Sequence, residues 1–184
     1  SVPMSTLIDV SCSGASTQHM LKARTYGTIR HPPQFDALTK DADLVTVSIG
    51  YNDFRLFSTL FNRCVQMAKK DPEGSPCRDK LVQPGGFDFL EKRVKIIGHR
   101  ITEVVEGIRE RAPAAQILVV SYPHLLPEKG YCLDRVPLAK GDYAYVRSIN
   151  EAMSQAQRRA ADSVDGARGD DLICVDGDLA TALR

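Results

Sequence analysis

The amino-acid sequence predicts an α/β fold built on a parallel sheet, and three observations carry that expectation. Apolar, β-branched runs recur along the 184 residues, short and nearly continuous, which suits strands covered on both faces. Amphipathic helical patterns fall between them. The order strand, helix, strand, helices, strand, helix, strand is the one that right-handed crossovers between parallel strands produce.

The expected strands are Leu7-Ile8-Asp9-Val10, residues 44–49, residues 117–122 and residues 172–175. The clearest helix places Leu90, Val94, Ile97, Ile101, Val104, Val105 and Ile108 on one face. Glu91, Lys92, Arg93, Glu103 and Arg109 fall on the other, and the pattern ends before Pro113. A second helix runs from near Asp142, a suitable N-cap after Gly141, to Ser163. Its inward residues are Val146, Ile149, Met153, Ala156 and Ala160. Shorter helices are expected after Gly14, Asn52 and Asp178. Residues 63–86 and 126–141 read as long loops, of a kind that often walls a binding site.

Hydrophobic residues make up 43% and charged residues 26% of the chain, as in an ordinary soluble domain, so residues 1–184 read as a single domain with a real core. The net charge is +1 with both signs mixed and no basic stripe, which argues against a nucleic-acid partner. No apolar run approaches the ~20 residues that span a bilayer. A nucleotide-binding domain is disfavoured by the lack of a Gly-x-Gly-x-x-Gly or P-loop pattern. The opening Ser1-Val2-Pro3 carries no charged leader region and no initiator Met, so the numbering is expected to start inside a longer gene product.

Five cysteines, Cys12, Cys64, Cys77, Cys132 and Cys174, form no CxxC pair, and no zinc site is expected. Cys64 and Cys77 bracket a polar, turn-rich stretch. A disulfide across it is expected and points to export; two reduced thiols in a cytosolic protein are the alternative.

Ligands of open parallel sheets bind beyond the carboxyl ends of the strands. Three small or polar clusters lie there: Ser11-Cys12-Ser13-Gly14-Ala15-Ser16, Gly50-Tyr51-Asn52-Asp53 and Tyr122-Pro123-His124. They resemble conserved blocks of SGNH/GDSL esterases and lipases, most closely the secreted, cysteine-containing actinobacterial type. DVSCSGAST at residues 9–17 is similar to the second block of that family. LVTVSIGYNDF at residues 44–54 is similar to the third, a strand followed by Gly-x-Asn-Asp. ILVVSYPHLLP at residues 117–127 is similar to its later strand and Tyr-Pro turn. The resemblance covers nearly the whole chain, in order.

It implies a three-layer α/β/α arrangement of the flavodoxin-like type and hydrolysis of a small-molecule or lipid ester. It further implies that Gly14, through its backbone N–H, and Asn52, through its side-chain amide, donate to the oxyanion. Fixed donors aimed at that oxygen lower the barrier to the tetrahedral intermediate, by ~2.7–4 kcal/mol each. Glycine admits close approach of its backbone, and asparagine supplies a donor that needs no protonation. Ser13, Tyr51 and His124 are candidates to line the substrate pocket. Taken singly, Gly14 is also an ordinary turn residue, and Asn52, like Asp53, an ordinary helix N-cap.

The family's first block, a strand ending in Gly-Asp-Ser, and its last, with a histidine, have no counterpart in these residues. His19, His31, His99 and His124 are poor substitutes for the base. Ser11, Ser13 and Ser16 lie in no Gly-x-Ser-x-Gly elbow. The resemblance therefore implies that the nucleophilic serine and the histidine lie outside this chain. It implies a domain incomplete at both ends, without its first central strand, and so inactive and poorly stable alone. By the family's disulfide pattern Cys64–Cys77 closes internally, Cys12 and Cys132 pair with cysteines elsewhere, and Cys174 is a buried free thiol. A secreted or cell-envelope location, a monomer and no metal or organic cofactor are expected. A non-catalytic α/β binding module that keeps the fold is the alternative.

Overall fold

The computed structural model describes residues 6–124, 126–165 and 172–175. An antiparallel hairpin, β1 (Arg24–Tyr26) and β2 (Ile29–His31), precedes the main sheet. That sheet holds β3 (Leu44–Val47), β4 (Gln116–Val120) and β5 (Leu172–Val175), parallel and in that order. Its register pairs Val45 with Ile117 and Leu118 with Ile173.

Between β3 and β4 the chain winds through a 3-10 turn (Asp53–Arg55), α1 (Leu56–Ser58), a π turn (Thr59–Arg63) and α2 (Cys64–Ala68). Then come α3 (Pro76–Leu81) and the 23-residue α4 (Phe89–Arg111). The connection from β4 to β5 contains α5 (Asp142–Asp165). Asp88 caps α4 by accepting from Leu90 N (2.7 Å) and Glu91 N (3.1 Å).

The seven apolar residues expected inside α4 and the five expected inside α5 are all buried. The two helices pack on each other and on β4, where Ile117 and Val119 are buried beneath them. Leu118 and Val120, on the opposite face of β4, are only half-buried. Both helices thus lie on one side of the described sheet. The reason is topological: two successive right-handed crossovers that step the same way across a sheet deposit their helices on the same face.

Four expectations need correction. Leu7-Ile8-Asp9-Val10 is no strand; it pairs with nothing among the described residues, and Leu7 and Ile8 are 76% and 62% exposed. β-propensity reflects packing on a pleated neighbour, and β3 pairs only with β4 there. Residues 63–86 are not one loop, because α2 and α3 lie within them, joined by the expected Cys64–Cys77 disulfide. Asp142 does not cap its own helix. It is fully buried, and its carboxylate accepts from Cys77 N (3.0 Å) and Arg78 N (2.9 Å), capping α3 instead. Burial holds that carboxyl above the usual carboxylate range, against the pull of those two bonds. Arg109 is buried, its guanidinium donating to Pro113 O and Ala115 O and tying down the turn into β4.

The expected loop at 126–141 contains no helix or strand among its described residues. The helix expected after Asp178 lies outside them. No described helix is long and apolar enough to cross a membrane.

Candidate active site

β3 delivers its chain to the carboxyl edge of the sheet, where Gly50 turns it. Gly50 sits at φ +120°, and a Cβ there would lie 2.5 Å from Met153 Cε and 2.9 Å from Ile97 Cγ2. Only glycine fits both the backbone angle and the gap between the strand and the two helices. A turn follows, with Asp53 N donating to Gly50 O (3.0 Å). Phe54 and Arg55 then both take left-handed angles, φ 50° and 58°. Non-glycine residues so placed cost about 1–3 kcal/mol each and persist only where their surroundings hold them. Here the Arg100 guanidinium stacks over the Phe54 ring at 4.4 Å and donates to Asp53 Oδ1 at 3.2 Å.

Asp53 and Asn52 grip the segment after residue 12 from two sides. The buried Asp53 carboxylate accepts from Thr17 N (2.9 Å) and from Thr17 Oγ1. Asn52 Nδ2 donates to Ala15 O at 2.9 Å. Ala15 N closes a turn onto Cys12 O (2.9 Å), with Gly14 inside it at φ +72°. Arg24, from the hairpin, donates to Ser13 O. The Gly14 N–H has no acceptor among the described residues. Asn52 Nδ2 carries a second hydrogen beyond the one given to Ala15.

A cleft of about 310 Å³ opens beside this clamp, lined by Ser13, Ala15, Ser48, Asn52 and Tyr122 among others. Gly14 lies in sequence between two of the lining residues, Ser13 and Ala15. Ser13 and Asn52 therefore meet in one place. His124 does not join them. It lines a separate cleft of about 290 Å³ with Phe61, Leu126 and Asn150, and its Nε2 lies 4.0 Å from Glu151 Oε2. Tyr51 lines neither. It is buried between the two, its ring 4.3 Å from that of Tyr122 and its hydroxyl donating to Asn150 Oδ1. Burial pushes the phenols of Tyr51 and Tyr122 up, so both remain neutral donors.

Among the described residues one Ser–His hydrogen bond stands out: Ser16 Oγ lies 3.1 Å from His19 Nδ1. That nitrogen also accepts from Ser16 N at 2.9 Å, in a capping box. Its single lone pair is taken up by the start of the short 3-10 helix Thr17–Met20, which leaves no free base for the hydroxyl. Sequence reasoning missed the clamp partners Thr17, Arg24 and Arg100. Asp53 stood out only as a rival N-cap. Its position next to Asn52, after an apolar strand, was the available signal; nothing in the sequence singled out Arg24.

A strand-to-turn edge of a parallel sheet with polar groups beside a cleft is where open α/β folds bind their ligands. Comparison gives the family: the GDSL-like lipase/acylhydrolase family profile matches residues 3–183, and the chain belongs to that family. It is 34% identical over 159 residues to a protein named lipase 2 from Streptomyces coelicolor, covering 85% of this chain and 52% of that one. It is 27% identical over 179 residues to an esterase of Streptomyces scabiei, covering 88% and 51%. The chain thus spans about half the length of these relatives.

Among solved structures it is similar to a phospholipase A1 of Streptomyces albidoflavus (TM-score 0.59, 21% identity, 87% of this chain and 57% of that one). It is also similar to an extracellular lipase of Streptomyces rimosus (TM-score 0.61, 21% identity, 90% and 58%). At that identity the likeness shows the fold.

Proposed function

We propose that this chain is the oxyanion-binding part of a secreted serine ester hydrolase. The Gly14 N–H and the second Asn52 N–H are its donors. The serine and histidine of the complete protein come from outside residues 1–184, and the strand bearing the serine sits between Val10 and β3. The observation that supports this most is the clamp: Asn52 and Asp53 bind the Ala15–Thr17 segment directly, which ties the residue after Gly14 to Asn52, and Ser13, Ala15 and Asn52 line one cleft.

The chemistry follows from that placement. The serine hydroxyl attacks the ester carbonyl carbon while the histidine takes its proton. The carbonyl π electrons move onto oxygen, and Gly14 and Asn52 hold that oxyanion. Collapse expels the alcohol, which receives the proton from histidine. Water repeats the sequence on the acyl-serine, releasing the carboxylic acid. No step calls for a metal or organic cofactor. The disulfide, together with the extracellular structural neighbour, supports export; a monomer acting on a small-molecule or lipid ester belongs to the same proposal.

The test is intact mass of the natural product beside labelling with a fluorophosphonate, which traps activated serines. A product heavier than this chain and labelled at one serine outside it is the expected result. A product that is never labelled, yet binds esters, would sink the enzymatic reading in favour of a binding module.

A further inference from the structure

The core face of α5 carries two amides where apolar side chains would pack without cost. Asn150 and Gln157 are both buried, and Gln157 Oε1 has no hydrogen-bond partner among the described residues. A buried amide left half unsatisfied destabilises a core that an apolar side chain of similar length would not. What the two residues touch gives a reason for keeping them.

Asn150, Met153 and Gln157 stand at i, i+3 and i+7 on one face of α5. They meet three consecutive residues of the turn that leaves β3. Asn150 Oδ1 accepts from the Tyr51 hydroxyl. Met153 Cε fills the space beside Gly50, 2.5 Å from where a Cβ would stand. Gln157 Nε2 donates to Ile49 O at 3.3 Å. Helix and turn therefore run past each other in register, 150 on 51, 153 on 50 and 157 on 49.

The turn has need of such a hold. The ladder between β3 and β4 ends at Val47, so residues 49–51 lie beyond it. Gly50 has no side chain to anchor it, and Tyr51 is kept in place by its hydroxyl and by the Tyr122 and Phe57 rings, at 4.3 and 6.2 Å. Asn52 follows Tyr51 directly, so any rotation of the turn swings the Asn52 amide. Neither Asn150 nor Gln157 lines the cleft beside Asn52; Asn150 opens onto the cleft of His124 instead. Their action on a substrate held against Asn52 runs through the turn.

We propose that Asn150 and Gln157 are positioning residues of the oxyanion site: one face of α5 fixes residues 49–51 and, through them, the direction of the Asn52 amide. The inference rests on the esterase reading for what that amide does, and on geometry alone for the hold.

The experiment uses the complete natural product, with hydrolysis of a soluble ester read beside amide hydrogen exchange. Tyr51→Phe keeps the ring and removes the hydroxyl; Asn150→Leu removes its acceptor. Each should lower kcat on the order of tenfold with KM within about twofold, because a donor is displaced and no substrate contact is lost. The Tyr51→Phe/Asn150→Leu double variant should fall no further than either single one, since both break the same bond. Gln157→Met keeps the length and loses the donor; it should lower kcat by a similar factor with Tm little changed. In all of them the Asp53 and Phe57 amides, bonded to Gly50 O (3.0 Å) and Tyr51 O (2.9 Å), should exchange faster. Ala160→Gly, buried one turn further along α5, should lower Tm and leave kcat parental. Parental kcat in Tyr51→Phe and Gln157→Met, losses that add in the double variant, or unchanged exchange overturns the proposal. If the parent hydrolyses no ester, faster exchange in the variants still upholds the hold on the turn, and it is the esterase reading that fails.

Discussion

Replacing Asp53 by asparagine in the complete protein separates the charge of the clamp from its shape. The carboxylate, its side chain 1% exposed, serves three donors: Thr17 N, Thr17 Oγ1 and Arg100 Nη1. Asparagine keeps one acceptor oxygen, enough for the Thr17 N–H. Its amide can face the Thr17 hydroxyl, which also accepts, but has nothing to offer a guanidinium. The loss is therefore the bond to Arg100. A bond to a charged group is worth about 1.5–3 kcal/mol, discounted to about 1–2 kcal/mol because the Arg100 end is 40% exposed. In a domain of this size that lowers Tm by about 2–8 °C. Asp53→Ala removes both acceptor oxygens, leaves all three donors unserved and strands a buried N–H, at a cost of about 3–5 kcal/mol. Since Asn52 rides on the same turn, kcat should fall in both variants by more than KM rises. Thermal unfolding by circular dichroism and steady-state hydrolysis of a soluble ester provide the readings. An asparagine variant with parental Tm and an alanine variant costing under 1 kcal/mol would show that the clamp does not hold the two segments together.

Asn52→Ala, by contrast, should reduce kcat ~10²–10³-fold in the complete protein with Tm within a few degrees, as loss of one oxyanion donor does; parental turnover removes Asn52 from the mechanism. Gly50→Ala forces a Cβ against Met153 and Ile97 and strains φ, so a destabilisation of about 2–4 kcal/mol is expected in denaturant titration. Cys64→Ser/Cys77→Ser opens a disulfide with a sequence separation of 13 and should cost about 3 kcal/mol; an unchanged denaturation midpoint would count against that figure.

The elements most legible in the sequence are those whose order depends on their own periodicity. α4 shows a 3.6-residue apolar stripe over about five turns, and every one of its seven expected core residues is buried. Residues 44–49 contain β3 and residues 117–122 overlap β4, which begins one residue earlier at Gln116, because both runs have a neighbour to pair with. The run from Leu7 to Val10 has equal propensity and no such neighbour among the described residues, and propensity alone builds no ladder. Polar roles were harder to read because they are set by distant partners. Asp142 looks from its surroundings like the cap of its own helix, yet the α3 amides lie within its reach and take it. Arg109 falls on the polar side of a helical wheel, but two carbonyls of the following turn draw it inside. In the site, the Gly50 and Gly14 turns and Asn52 were visible as a pattern. The hairpin that brings Arg24 to Ser13 was not, because residues 24–31 carry no signal linking them to residue 13.

That guanidinium has a bearing on how Gly14 can act. Ser13 C=O and Gly14 N–H belong to one trans peptide group and point in opposite directions. By holding the Ser13 oxygen, Arg24 restrains the plane of that peptide and with it the direction of the Gly14 N–H. A residue of the surface hairpin is thereby tied to the orientation of a candidate donor, and a substitution at Arg24 would loosen that plane while altering neither Gly14 nor Asn52.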